Sequence, residues 1–206
     1  MAETVVVDYG AGNLRSVAKA LEAAGAARVT VTDDPRLIAA ASRVVLPGVG
    51  AFAQCIGALR QRSGLEAALH EAVQLGGVPF LGVCVGMQLL ASEGHEHGVH
   101  TGLGWLPGMV TRLQPGPALK VPHMGWNTVE PDETPAPIPL AAGSAYFVHS
   151  FRFDPADPRD QLASTDHGGA IASVVGRGNI LGVQFHPEKS QAYGLAFLRA
   201  FLAWRP

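Results

Sequence analysis

Pro79-Phe80-Leu81-Gly82-Val83-Cys84-Val85-Gly86-Met87-Gln88 reads as an apolar strand ending in a cysteine, with a glycine two residues to either side. A nucleophile at a strand-to-helix corner needs an unusual backbone conformation and close chain approach, and glycine tolerates both cheaply. The following helix would start at the thiol, where its unpaired amides and positive dipole end favour a thiolate. About a hundred residues later, Ile180-Leu181-Gly182-Val183-Gln184-Phe185-His186-Pro187-Glu188 is a second apolar strand, ending in a histidine and a carboxylate. Nucleophile, base and orienting group are thus all predicted at strand ends.

The segments before the cysteine strand alternate between short apolar strands and helices. Strands are predicted at Val5–Asp8, Arg28–Thr32 and Arg43–Leu46, the last closed by Pro47-Gly48-Val49-Gly50. Helices are predicted over Leu14–Ala24, from Asp34-Pro35 through Ala40, over Phe52–Arg60 and over Leu65–Leu75. Proline suits a first helical turn. This alternation predicts an α/β fold, a mostly parallel central sheet with helices on both faces. From Glu93 to Ala142 glycine and proline are frequent, with short strands at Met109–Arg112 and Thr128–Glu130 and an exposed loop over Pro131–Pro139. Strands then resume at Ala145–His149, Ala170–Val175 and Ile180–Phe185, before a helix over Ala192–Ala203. Residues 1–206 are expected to form one domain without internal repeats.

A hydrophobic share of 48% against 16% charged residues argues against disorder, and a net charge of −2 argues against nucleic-acid binding. Apolar runs are strand-sized, so no membrane span is expected. Cys55 and Cys84 do not make a disulfide framework, and the N-terminus lacks signal-peptide features, so a cytoplasmic location is expected. Cys55, on a helical pattern without a glycine pair, reads as a small core residue. Asp8-Tyr9-Gly10-Ala11-Gly12-Asn13 superficially suggests a phosphate loop, but Arg15 stands where the third glycine of a dinucleotide fingerprint belongs. His95-Glu96-His97 and His100 are metal-like residue types without a matching partner cluster, so a solvated loop is expected. Neither a metal nor a cofactor is expected.

Gly82-x-Cys84-x-Gly86-x-Gln88 together with His186-x-Glu188 resembles the class I glutamine amidotransferases, whose fold is flavodoxin-like. Four further segments are similar to the glutaminase subunits of imidazole glycerol phosphate synthases: Asp8–Val17, Leu46–Phe52, Val121–Asn127 and His186–Ser190. The resemblance spans essentially the whole chain and implies a Cys84–His186–Glu188 triad that hydrolyses L-glutamine through a thioester. The Val85 amide is a candidate oxyanion donor at the helix start. The resemblance implies a second donor at Val49; rearrangement of that loop, turning the amide inward, is expected to be where activity is regulated. Gln88 can hydrogen-bond the substrate. The resemblance implies that backbone near Gly50 and Ser150-Phe151 also holds it, although relatives often carry a hydroxylated aromatic at the position of Phe151. It further implies a heterodimer with a (β/α)8 cyclase subunit. Asn13, Arg15, Met124, Trp126 and Lys189 are candidates for that face, with Trp126 alternatively a core residue. Glutaminases of pyridoxal, anthranilate or guanylate synthesis, a non-enzymatic regulatory domain and an unrelated cysteine hydrolase are the competing readings.

Overall fold

The computed structural model describes residues 3–117 and 119–206. Strands β1 (Thr4–Val7), β2 (Val29–Thr32), β3 (Arg43–Gly48) and β4 (Phe80–Cys84) are separated by α1 (Leu14–Ala23), α2 (Pro35–Ala39), α3 (Phe52–Gln61) and α4 (Leu65–His70). A π turn at Glu71–Leu75 extends α4. After the single turn α5 (Val85–Gln88) come β5 (Glu93–His95), β6 (Val99–Thr101), β7 (Gly108–Arg112), β8 (His123–Pro131), β9 (Gly143–His149) and β10 (Phe151–Pro155). The chain ends with β11 (Gln161–Asp166), β12 (Ala170–Arg177), β13 (Ile180–Val183) and α6 (Gln191–Ala203).

Nine strands form one sheet in the order β2-β1-β3-β4-β13-β12-β11-β8-β9. Its first five strands run parallel, and the rest continue antiparallel. The sheet is therefore mixed, and its parallel half carries the cysteine corner. The parallel order matches the flavodoxin-like order 2-1-3-4-5, whose reversal next to β1 sends right-handed crossovers to opposite faces. Accordingly α1 packs with α6, while α2, α3 and α4 pack among themselves. Strands β1, β3, β4 and β13 are buried at every residue, as parallel strands covered on both faces must be. A smaller sheet, β10-β7-β5-β6, lies beside this core.

Several sequence expectations need correction. Strand β3 does not close at Leu46: Pro47 and Gly48 stay in it, opposite Val83 and Cys84 of β4. Proline is tolerated there because the pairing of β3 with its other neighbour, β1, stops at Val45, so no donor is needed on that side. The short strand expected at Thr128–Glu130 is the nine-residue β8, and β13 stops at Val183 rather than Phe185. Strands β5, β6, β10 and β11 were not expected. β5 and β6 have three residues each, and β11 (Gln-Leu-Ala-Ser-Thr-Asp) breaks its alternation where its register against β12 shifts.

Candidate active site

Cys84 ends β4 with φ 55° and ψ −112°, a region that non-glycine residues rarely enter. Such a conformation costs on the order of 1–3 kcal/mol and persists only where its surroundings impose it. Those surroundings are the flanking glycines. A methyl group on Gly86 would lie 1.8 Å from the Leu46 carbonyl oxygen, and one on Gly82 would lie 2.5 Å from that of Gly86. The glycines thus provide close approach, and the unusual dihedral sits on the cysteine itself. Helix α5 is a single turn, so a long helix dipole does not act on the thiol. It ends because the carbonyls of Leu89, Leu90 and Ala91 accept from Leu103, Leu106 and Gly104 instead of from a continuing helix.

β13 lies beside β4 in parallel register, Val183 opposite Val83, so the residues leaving both strands meet at one sheet edge. Gln184 donates from Nε2 to Cys84 Sγ at 3.7 Å. The His186 amide donates to the Tyr146 carbonyl, and Ser190 Oγ donates to the His186 carbonyl, fixing the segment against β9. Pro187–Lys189 then form a 3-10 turn. That turn, rather than an extended i/i+2 pairing, returns Glu188 to the ring, with Oε1 2.9 Å from His186 Nδ1. Both side chains are buried. Burial opposes an imidazolium at His186, but the hydrogen-bonding and charge partners Cys84 and Glu188 outweigh it and push its pKa up to about 10. Among the described residues His186 Nε2 makes no hydrogen bond of good geometry, and its ring shares the cavity with the Cys84 thiol. Such contacts tighten when substrate binds.

A cavity of about 340 Å³ is lined by Cys84, His186, Val49, Gly50, Val85, Gln88, Ser150 and Phe151. These are all the residues predicted for chemistry or glutamine contact except Glu188, which holds the far side of the His186 ring. Lys189 stands on the same lining. Val49 is 45% exposed, and its carbonyl accepts from Cys55 Sγ at 3.3 Å. Burial raises the Cys55 thiol above its ordinary pKa, so it stays a protonated donor.

Three lining or supporting groups escaped the sequence reading. Glu96 lies at the β5–β6 turn, lines the cavity and accepts from the Phe52 amide at 2.7 Å, so it is not merely part of a solvated loop. His149 lines the cavity beside Ser150, and Gln184 braces Cys84. A carboxylate or amide pointing inward from a loop carries no periodic signal in the sequence. Among the described residues no cluster of three His, Cys, Asp or Glu side chains is arranged to hold a metal.

Asn13, Arg15, Met124, Trp126 and Lys189 are exposed. Trp126 is 50% exposed and sets its ring edge against Tyr146, so it is a surface residue and not a core one. Lys189 Nζ lies 5.6 Å from the centre of the same Tyr146 ring.

Beside the cavity, burial pushes His123 down to about 4, and burial followed by neighbouring imidazoles pushes His149 down to about 3. Both pKa values are lower folded than unfolded. Their stabilisation is therefore complete above the unfolded value of 6.5 and is lost as pH falls toward 4, where the unfolded chain binds protons that the folded chain refuses. Thermal denaturation between pH 7 and about 4.5 is expected to show a falling Tm, with a shallower fall in His149→Asn. An identical acid slope in that variant would contradict this assignment.

The sequence matches the glutamine amidotransferase class-I family over residues 5–203. It is 57% identical to "Imidazole glycerol phosphate synthase subunit HisH" of Zymomonas mobilis, over 98% of this chain and 95% of that protein. The protein of the same name from Rhodospirillum rubrum is 51% identical, over 98% of each chain. Among solved structures, a "glutamine amidotransferase" superposes with a TM-score of 0.74 at 21% identity, covering 96% of both chains. A second, the "Structure of PurLQS from Thermotoga maritima", gives 0.71 at 18% identity over 96% of this chain and 97% of that one. These two likenesses speak for the fold alone.

Proposed function

This chain belongs to the class-I glutamine amidotransferase family, and we propose that it is the glutaminase subunit of imidazole glycerol phosphate synthase, with Cys84, His186 and Glu188 as its triad. The observation that carries the chemistry is a strained, glycine-framed Cys84 sharing one cavity with a His186 ring that Glu188 orients. The Cys84 thiolate attacks the side-chain amide carbon of L-glutamine. The amides of Val85 and Val49 receive the oxyanion. The His186 imidazolium gives its proton to the departing nitrogen, ammonia leaves, and a thioester remains. Water, deprotonated by the now neutral His186, hydrolyses the thioester to glutamate and restores the thiolate. Gln88, Gly50 and the Ser150–Phe151 backbone hold the glutamine. The carboxylate of Glu96, with one oxygen committed to the Phe52 amide, has the charge to hold the substrate ammonium group.

Ammonia released into neutral water is mostly protonated and no longer nucleophilic. A docked (β/α)8 cyclase subunit would receive it through a dry channel and use it to make imidazole glycerol phosphate and AICAR in histidine biosynthesis. The exposed Met124, Trp126, Asn13, Arg15 and Lys189 form the docking face in this reading. Residues 1–206 act as one amidotransferase domain, which the family match over 5–203 supports. We place the heterodimer in the cytoplasm, where the two unpaired thiols stay reduced. No helix among the described residues is long and apolar enough to cross a membrane.

The test is glutamate release by the purified chain, alone and with a cyclase subunit plus its nucleotide ligand. Strong stimulation by that pair is expected, and high activity of the lone chain would contradict the coupling. Trp126→Ala is expected to weaken association ~10- to 100-fold, as loss of a large aromatic anchor does, without lowering activity at saturating partner. Unchanged association in titration calorimetry would remove Trp126 from the docking face.

A further inference from the structure

From the cavity wall back into β8 runs a line of buried and part-buried hydrogen bonds that the triad does not use. His123 and Asn127 are four residues apart on β8, so they share one face of the strand, while Met124 and Trp126 point out on the other. β8 pairs with β9 so that His123 lies opposite His149. Asn127 Nδ2 lies 3.1 Å from His123 Nε2, and His123 Nδ1 lies 2.9 Å from His149 Nε2. His149 Nδ1 in turn lies 2.8 Å from the Phe151 carbonyl oxygen.

Donor accounting fixes every proton in this line. The Phe151 carbonyl can only accept, so His149 carries its proton on Nδ1. A neutral His149 then offers a lone pair at Nε2, and His123 must donate from its own Nδ1. That leaves His123 Nε2 as acceptor from the Asn127 amide. The orientation of that amide is fixed independently, because its Oδ1 accepts from the Thr128 amide and its Nδ2 also donates to the Asp166 carbonyl. Burial of both rings, which disfavours their charged forms, agrees with this neutral arrangement.

The line ends on an oxygen that the active site also uses. Gln88 Nε2 donates to the same Phe151 carbonyl at 3.0 Å and to Gln184 Oε1 at 3.0 Å, and Gln184 reaches Cys84. With two donors, the Phe151 carbonyl has both lone pairs engaged and its peptide cannot rotate without breaking one of these bonds. We infer that His123 and His149 are positioning residues, a one-directional relay that locks the Phe151 carbonyl and Gln88 in place and so sets the glutamine-binding wall of the cavity. The relay also ties that wall to β8, whose opposite face is the exposed Met124–Trp126 surface. This inference rests on the glutaminase reading above.

Three measurements test it. Nitrogen-15 NMR of the histidine-labelled wild-type chain is expected to show His123 and His149 both neutral and both protonated at Nδ1. A His149 proton on Nε2 would overturn the relay without any variant. His123→Phe keeps a ring to stack against Phe147 and His167 but removes both ring nitrogens. In the complex with the cyclase subunit and its nucleotide ligand, that variant is expected to raise the KM for glutamine about tenfold while kcat falls less than about threefold, the pattern of lost binding rather than lost chemistry. The His149 signals are expected to show a partial change of tautomer at the same time. A folded His123→Phe chain with unchanged KM would overturn the positioning role, since a purely structural ring would leave KM alone. Labelling of wild-type Cys84 by a glutamine analogue separates the two levels: absence of labelling would overturn the glutaminase reading itself, whatever the tautomers prove to be.

Discussion

Cys84→Ala is expected to abolish glutamate release, by about 10⁴-fold or more, because the covalent step disappears with the sulfur. No other thiol can replace it. Cys55 is buried and donates to the Val49 carbonyl, and its burial holds it protonated. The substitution removes one sulfur from a site that is 4% exposed and leaves the glycine contacts of the corner intact, so folding is expected to survive. Alanine inherits the positive φ, so the strain at the corner is not relieved. The checks are glutamate release with the cyclase partner present and alkylation by a glutamine analogue followed by mass spectrometry. A variant that keeps more than a few per cent of wild-type turnover would sink the covalent mechanism.

Removal of His186 should cost nearly as much, on the order of 10³- to 10⁴-fold in kcat for His186→Ala. With its pKa pushed up to about 10, the wild-type ring carries its proton through neutral pH, as the proposed role of acid for departing ammonia requires. As pH rises through about 10 the imidazolium is lost and wild-type turnover should fall, whereas the residual rate of the variant should lack that alkaline limb. Alkylation of Cys84 should also slow, since the group proposed to assist the thiol's deprotonation is gone. Glu188→Gln would show a milder form of the same defect, because the amide can still hold Nδ1–H but brings no charge. An alkaline limb that persists in His186→Ala would assign the proton to another group.

Trp126 illustrates how a single residue type leaves its environment open. Its sequence neighbours allow either a core or a surface ring, and only the pairing of β8 with β9 turns it outward. Glu96 is similar. Read along the chain it belongs to a polar, glycine-rich loop, yet the β5–β6 hairpin delivers its carboxylate to the amide of Phe52, forty-four residues away, and to the cavity.

What the sequence determined by itself is local. Alternating apolar runs specify the parallel half of the sheet. The Gly82–Cys84–Gly86 frame specifies a corner where side chains cannot fit, and His186-Pro187-Glu188 specifies a ring with a carboxylate two residues away. Each of these is written in a few adjacent residues, so its pattern survives in one dimension even where the crowding partner, such as the Leu46 carbonyl against Gly86, is distant. The tertiary structure decided what depends on distant partners: the extension of β3 through Pro47-Gly48 against β4, the termination of α5 by the 103–106 loop, and the His123–His149 contact across β8 and β9. A hydrogen bond between strands is chosen by register and burial. Those are properties of the packed sheet, and no run of adjacent residues encodes them.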